Sequence, residues 1–100
     1  MEKREIRLWL DDVRDPIYFG YIGWTWVKTY EDAVAVLETG DVIEASLDHD
    51  LGNEKTGYHV VCWMEENNVY PREGAHVHSV NPVGATRMRK VLEKMRRENA

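Results

Sequence analysis

Apolar and polar residues alternate near the start of the chain, and this alternation predicts its first element of regular structure. Between Glu5 and Leu10 every second residue, from Ile6 onward, is apolar, which is the pattern of a β-strand. Apolar segments at 25–28, 42–47 and 75–80 are interpreted in the same way. The pattern therefore predicts four short strands.

Between and after these strands lie segments whose apolar residues have helical spacing. Thr29 and Asp32 have the form of a capping box at the start of one helix. Residues 58–67 are predicted to form a second, largely buried helix. In the last segment Asn81 caps a helix and Pro82 takes its first position. The apolar stripe of that helix consists of Met88, Val91, Leu92 and Met95.

The connection between the first two strands, residues 13–23, shows no helical period. Because it contains Pro16 and glycines, we predict an irregular crossover. Its aromatic residues are Tyr18, Phe19 and Tyr21. They can stack on a nucleobase, and burial of the sheet edge explains them equally well.

Strands and helices alternate along the chain, which is typical of an α/β fold with a parallel sheet and right-handed crossovers. We predict three layers, with a sheet of about four strands and helices on both faces. A chain of 100 residues fits a single domain, residues 1–100. Ligands of such sheets bind beyond the carboxyl ends of the strands, so these ends are where we expect the site.

The composition narrows the classes of function. A net charge of −5 argues against a general nucleic-acid binder. No apolar run approaches the roughly 20 residues that span a bilayer, so we expect no membrane contact. The single cysteine, Cys62, cannot form an internal disulfide, which favours the cytoplasm. The oligomeric state stays open, and a dimer is one option.

Polar side chains follow three of the four predicted strands. They are Asp11 and Asp12 after the first, Asp48, His49 and Asp50 after the third, and His78, Ser79 and Asn81 after the fourth. The carboxyl ends of parallel strands meet at one edge, so these side chains should converge. Crowded carboxylates repel one another unless a cation compensates them.

Hard oxygen ligands favour Mg²⁺, Mn²⁺ or Ca²⁺, so a divalent-metal site is predicted, with Mg²⁺ or Mn²⁺ preferred. Its candidate ligands are Asp11, Asp12, Asp48 and Asp50. The alternative is that these aspartates are turn or capping residues, a common role for Asp after a strand.

His49 and His78 are candidates for proton transfer, for transition-metal ligation, or for a polar role satisfied by neighbours. His59 and His76 lie further from the predicted edge and are interpreted as structural.

Three residues are candidates for binding phosphate. Asn81 caps the last helix, and Gly84 would let a ligand approach the N–H groups of its first turn, where anions are favoured. Arg14 can pair with phosphate through two hydrogen bonds, or it can simply neutralise its acidic neighbours.

These residues resemble those of receiver domains of response regulators. Such domains place an acidic pair after the first strand, a phosphoacceptor Asp after the third and Ser or Thr after the fourth; Asp11 and Asp12, Asp48, and Ser79 match that order. The chain is more closely similar to the cyclic-phosphate-processing receiver-like family. The matching segments are 8–16 (Leu-Trp-Leu-Asp-Asp-Val-Arg-Asp-Pro), 46–52 (Ser-Leu-Asp-His-Asp-Leu-Gly), 56–57 (Thr-Gly) and 78–85 (His-Ser-Val-Asn-Pro-Val-Gly-Ala).

The resemblance implies a reduced receiver-like, flavodoxin-like fold and a metal-dependent phosphoesterase. Its substrates would be cyclic phosphates, either 2′,3′-cyclic ends in RNA repair or cyclic nucleotides. In this hypothesis Asp50 ligates the ion or orients His49, and the candidate catalytic residues are Asp48, His49, His78 and Ser79.

The chain departs from ordinary receivers in two respects. It lacks a fifth strand with its phosphate-binding Lys, and the aromatic loop replaces the first helix. Two alternatives to catalysis therefore stay open. One is a binding module that sequesters a cyclic nucleotide or oligonucleotide, and the other is a degenerate receiver that mediates protein interactions.

Overall fold

Four parallel strands form one sheet, in the order β2-β1-β3-β4. The computed structural model describes residues 4–100, so the first three residues of the predicted domain lie outside it. The strands are β1 (Ile6–Leu10), β2 (Thr25–Val27), β3 (Val42–Leu47) and β4 (Ala75–Val77). The helices are α1 (Tyr30–Leu37), α2 (Gly57–Asn67) and α3 (Pro82–Glu98), with a short 3-10 helix at Pro16–Phe19.

This architecture confirms the predicted α/β fold with a four-stranded parallel sheet. The central strands β1 and β3 pair over their length, up to Leu10 and Leu47. Beyond these residues the pairing continues for one more hydrogen bond, from the N–H of Asp48 to the carbonyl of Leu10. The carboxyl ends of β1 and β3 are thereby held side by side, and the residues that follow them meet at one edge.

The main core lies between one face of the sheet and the three α-helices. Leu8 and Leu10 of β1 and Ala45 and Leu47 of β3 point to this face, because strand side chains alternate. The helices contribute Ala33, Leu37, Val60, Val61, Met64, Met88, Leu92 and Met95. All of these residues are at least nine-tenths buried, so this face carries most of the apolar burial.

The opposite face is covered by the 3-10 helix and the aromatic residues beside it. Trp9 points to this face and is almost fully buried beneath Phe19, Tyr21 and Trp24. Its indole N–H donates to the carbonyl of Arg14 at 2.8 Å. The prediction of helices on both faces therefore holds in a reduced form, with a single 3-10 turn on the second face.

Several element ends differ by one residue from those predicted, and two predictions differ by more. The fourth strand ends at Val77 instead of residue 80, because its partner β3 ends at Leu47 and offers no further ladder. The crossover 13–23 was predicted to be irregular throughout, but Pro16–Phe19 form a 3-10 helix. Asp15 caps that helix by accepting the N–H of Ile17 at 3.0 Å, and Pro16 supplies the required φ.

None of the helices within residues 4–100 combines the length and apolar character needed to cross a membrane.

Helix α2 starts in close contact with the end of β3. The N–H of Gly57 donates to the carbonyl of His49 at 2.8 Å. A Cβ atom on Gly57 would lie 1.8 Å from the carbonyl oxygen of Asp48 and 2.9 Å from the terminal methyl of Met88. Only glycine allows this approach, which sets the position of the loop that carries Asp48.

We expect Gly57→Ala to lower the free energy of unfolding by about 1–3 kcal/mol, the usual cost of overpacking. The better helix propensity of alanine offsets only part of this loss, about 1 kcal/mol. Glu66→Ala, at an exposed position of the same helix, is the matched control and should change stability little. Urea denaturation of the three proteins measures the effect, and equal stability of Gly57→Ala and the control would contradict this account of the contact.

Candidate functional site

Three of the predicted site residues meet at the carboxyl edge of the sheet. Asp11 follows β1, Asp48 follows β3 and His78 follows β4. One ligand atom from each of them lies within 4.8 Å of the other two. Together with Arg14, which contacts both carboxylates, we call these residues the carboxylate cluster.

Asp11 is fully buried, and both of its carboxylate oxygens have polar partners. Its Oδ1 accepts the backbone N–H groups of Val13 and Arg14, at 2.9 and 2.8 Å. Its Oδ2 lies 3.1 Å from Nε2 of His78 and 3.3 Å from Nη1 of Arg14. Burial raises the pKa of Asp11, but these hydrogen bonds outweigh it and hold the pKa below its ordinary value. Asp11 is therefore a carboxylate, and it shapes the start of the loop that follows it.

Arg14 lies between the two buried carboxylates. Its Nη1 is 3.3 Å from Oδ2 of Asp11 and 3.7 Å from Oδ2 of Asp48. The guanidinium thus supplies positive charge at the place where the sequence predicted a metal ion. About a third of the side chain, 32%, is exposed, so Arg14 also faces solvent.

His78 is held on three sides. Its ring stacks on Trp9 with centroids 4.0 Å apart, and its Nδ1 lies 2.7 Å from Oγ of Ser46. Because Asp11 is ionised, Nε2 must carry the proton, and Nδ1 then accepts the hydroxyl of Ser46. Burial lowers the pKa of His78, and the hydrogen bond that His78 donates to Asp11 opposes this only in part. Both ring nitrogens of His78 are therefore engaged.

Asp48 differs from Asp11 in its environment. Burial raises the pKa of Asp48, and the charge of Asp11 acts in the same direction. The N–H of His49 and the side chain of Ser79 donate hydrogen bonds that oppose the rise. The pKa values of the two carboxylates are thus shifted in opposite directions, a pattern found where one group acts as an acid and another as a base.

A second group of residues surrounds the amino end of α3, and we call it the helix-end cluster. Nδ1 of His49 lies 2.7 Å from Oδ1 of Asp50, whose carboxylate also accepts the side-chain amide of Asn81. These contacts lower the pKa of Asp50, the one from His49 most strongly. The ring of His49 lies over Gly84, where a Cβ atom would come within 2.4 Å of it.

Asn81 has the predicted role of helix cap, because its Oδ1 accepts the N–H of Gly84 at 3.0 Å. Gly84 makes room for the His49 ring, and its N–H is already bonded. Binding of phosphate by Asn81 and Gly84 stays a prediction.

Two of the four predicted metal ligands, Asp11 and Asp48, lie together, and the other two lie elsewhere. Within the described residues, the group of three ligands contains Asp11, Asp48 and His78, and Asp12 and Asp50 do not join it. Asp12 faces Gly52, whose Cβ position would be 3.1 Å from its Oδ2. Asp50 belongs to the helix-end cluster and is largely exposed.

Two residues of the site were missed from the sequence. Ser46 and Trp9 position the ring of His78, and both face away from the apolar core. A polar Ser in the apolar segment 42–47 is the only signal that could have indicated this role.

The burial of His78 predicts a pH dependence of stability. Because the fold lowers the pKa of His78, the unfolded chain takes up a proton first as the pH falls. This contribution to stability is complete above the ordinary imidazole pKa of about 6.5 and is lost as the pH falls toward the lower pKa of the folded state. We expect the free energy of unfolding of metal-free protein to fall more steeply on acidification than that of His78→Gln. Urea denaturation across that range tests this, and parallel curves would rule it out.

One of three comparisons with known proteins identifies a family. Comparison with the curated proteins and with the solved structures found no match. The family model described as the cyclic-phosphate processing receiver domain matches residues 6–94, a range that contains both clusters. The chain belongs to the family of cyclic-phosphate processing receiver domains.

Proposed function

We propose that this protein is a phosphoesterase that hydrolyses cyclic phosphates, such as the 2′,3′-cyclic ends of RNA or cyclic nucleotides. The observation that carries the proposal is the meeting of Asp11, Arg14, Asp48 and His78 at one sheet edge, next to a second histidine oriented by Asp50. The family is named for cyclic-phosphate processing, and its match spans these residues.

The donor set fits a divalent cation. Two carboxylate oxygens and one imidazole nitrogen lie within 4.8 Å of one another. Carboxylates suit both Mg²⁺ and Mn²⁺, and the imidazole nitrogen favours Mn²⁺, the transition metal of the two. Asp11, Asp48 and His78 would hold the ion, provided that the proton of His78 moves from Nε2 to Nδ1, where the hydroxyl oxygen of Ser46 can accept it. The ion would act as a Lewis acid on a phosphate oxygen and acidify water. Because Arg14 lies on the same two carboxylates, its guanidinium must turn away to admit such an ion.

Arg14 is the candidate phosphate-binding group. Guanidinium pairs with phosphate oxygens through parallel hydrogen bonds, and the partly exposed side chain can reach a ligand at the edge. The amino end of α3 adds a second source of positive potential, since α3 runs from Pro82 to Glu98 and points its first turn at the helix-end cluster. Ser79 accepts the N–H of Asn81 at 3.0 Å, and its side chain also opposes the rise that burial causes in the pKa of Asp48.

His49 is better placed than His78 to move a proton. Both nitrogens of His78 are engaged, by Asp11 and by Ser46. In His49, Nδ1 donates to the carboxylate of Asp50, so a neutral ring has its lone pair on Nε2. Asp50 thus fixes the tautomer and orientation of His49, as carboxylates commonly do for catalytic imidazoles.

The reaction is an addition of water across one ester bond. Nε2 of His49 takes a proton from the attacking water while the new P–O bond forms. The bond from phosphorus to one ring oxygen breaks, and that oxygen receives the proton as a free hydroxyl. The product is a phosphomonoester, and no oxidant or further reactant is required.

We expect His49→Gln to lower kcat by about 10²–10⁴-fold on adenosine 2′,3′-cyclic phosphate, the range typical of a lost acid–base group. His76→Gln is the matched control, because His76 is exposed and pairs with Glu44 instead of with either cluster. Chromatographic assay of the monophosphate product in the presence of Mn²⁺ measures both variants.

Equal losses in the two histidine variants would contradict the role of His49. Saturable binding of the cyclic phosphate by wild-type protein with no product would favour the sequestering module instead. Absence of both binding and turnover would favour a receiver that mediates protein interactions.

Metal binding is tested separately by isothermal titration of Mn²⁺ and Mg²⁺. We expect Asp48→Asn to weaken binding of Mn²⁺ at least tenfold, because it removes one of the three close ligands. Asp41→Asn, which alters an aspartate at the other end of the sheet, just before β3, is the control. Identical titrations of wild-type protein and Asp48→Asn would exclude the proposed metal ligands.

A further inference from the structure

The loop after β1 exposes an unusual amount of apolar surface. Tyr18 is 83% exposed and Phe19 is 55% exposed. Val13, Ile17 and Ile22 of the same segment are also largely exposed. Folding gains little from apolar side chains in this state, and a cluster of them indicates a surface that binds something. We call Tyr18 and Phe19 the aromatic platform.

The platform is held in place by the fold. The segment begins with two backbone N–H groups bound to Asp11, and the Arg14 carbonyl is fixed by the indole of Trp9. Asp15 caps the 3-10 helix, and the N–H of Tyr21 closes the turn on the carbonyl of Pro16 at 3.1 Å. The two rings are therefore displayed by an ordered segment, which lowers the entropic cost of binding.

The platform is continuous with the carboxylate cluster. Phe19 stacks on Trp9 with ring centroids 6.1 Å apart, and Trp9 stacks on His78 at 4.0 Å. One ring thus separates Phe19 from His78 of the carboxylate cluster. Arg14, the candidate phosphate ligand, belongs to the same short segment as Tyr18 and Phe19.

We infer that the aromatic platform stacks on the nucleobase of a ligand whose phosphate is bound at Arg14. This inference rests on the proposed function and narrows its substrate class to cyclic phosphates of nucleosides. Phe19 reaches His78 through one ring, and His78 shares Oδ2 of Asp11 with the guanidinium of Arg14, an arrangement that matches a base joined to its own phosphate through a ribose. Stacking on aromatic side chains accepts any base, so the platform selects nucleosides over other phosphate esters without reading sequence.

The test compares two stable phosphomonoesters that differ in the presence of a base. Adenosine 3′-phosphate and glycerol 2-phosphate are titrated calorimetrically into wild-type protein, Tyr18→Ala, Phe19→Ala and the control Ile22→Ala. Ile22 is 78% exposed in the same segment, so the control removes a comparable apolar side chain that has no aromatic ring. Neither probe is turned over by the proposed reaction.

We expect wild-type protein to bind adenosine 3′-phosphate at least tenfold more tightly than glycerol 2-phosphate. Loss of one stacking ring should weaken the binding of adenosine 3′-phosphate by about fivefold or more. Binding of glycerol 2-phosphate should change in neither platform variant, and Ile22→Ala should match wild type. Tyr18 makes the smaller contribution to packing, so Tyr18→Ala alone decides the test if Phe19→Ala unfolds.

Three results would overturn the inference. They are equal affinity of wild-type protein for the two probes, no binding of adenosine 3′-phosphate, and equal weakening of both probes in Tyr18→Ala. Each of them leaves ring opening of a cyclic phosphate as a separate measurement, so the proposed function can stand when the platform fails. Sedimentation of wild-type protein as a dimer that Tyr18→Ala dissociates would assign the surface to a second copy of the chain and would also overturn the inference.

Discussion

The buried carboxylate of Asp11 is the constraint on which the rest of the site depends. One of its oxygens turns the backbone after β1 through the N–H groups of Val13 and Arg14, and the other contacts both Arg14 and His78. A carboxylate without exposure to water is costly unless its oxygens are bonded, and here each of them has two partners. Satisfying one buried charge therefore fixes the loop, the guanidinium and the imidazole together.

Two kinds of cation could neutralise the carboxylates at this edge of the sheet, the guanidinium of Arg14 and a divalent metal ion. Asp11 and Asp48 lie close enough for Arg14 to contact both, and the same atoms with His78 suit a divalent ion. Coulomb repulsion between close carboxylates requires some positive charge, but it does not specify the kind. A guanidinium that compensates the aspartates in the absence of metal is also the group that can pair with a phosphate. Binding of the metal would displace the guanidinium of Arg14 from the aspartates, and the substrate phosphate would then pair with it.

The unequal cover of the two sheet faces makes room for this chemistry. All three α-helices bury apolar strand residues on one face, and the other face has only the 3-10 helix and its aromatic neighbours. Trp9 takes the place of a packed helix, because its ring is large enough to bury Ser46 and to seat His78. The short segment that replaces a helix can then display exposed rings beside the site, which a regular amphipathic helix would turn into the core.

The sequence by itself determined the order of strands and helices, the parallel sheet and the edge at which polar residues gather. Alternating residues such as Ile6, Leu8 and Leu10 and the cap at Asn81 are local signals, and local physics is readable from one chain. Only the tertiary structure decided which polar residues touch. It joined Asp11 to His78 and Arg14, separated Asp12 and Asp50 from that group, and placed His49 over Gly84. The physical reason is that these contacts depend on the register between β1, β3 and β4 and on side-chain directions after the strands end, where no periodic pattern remains.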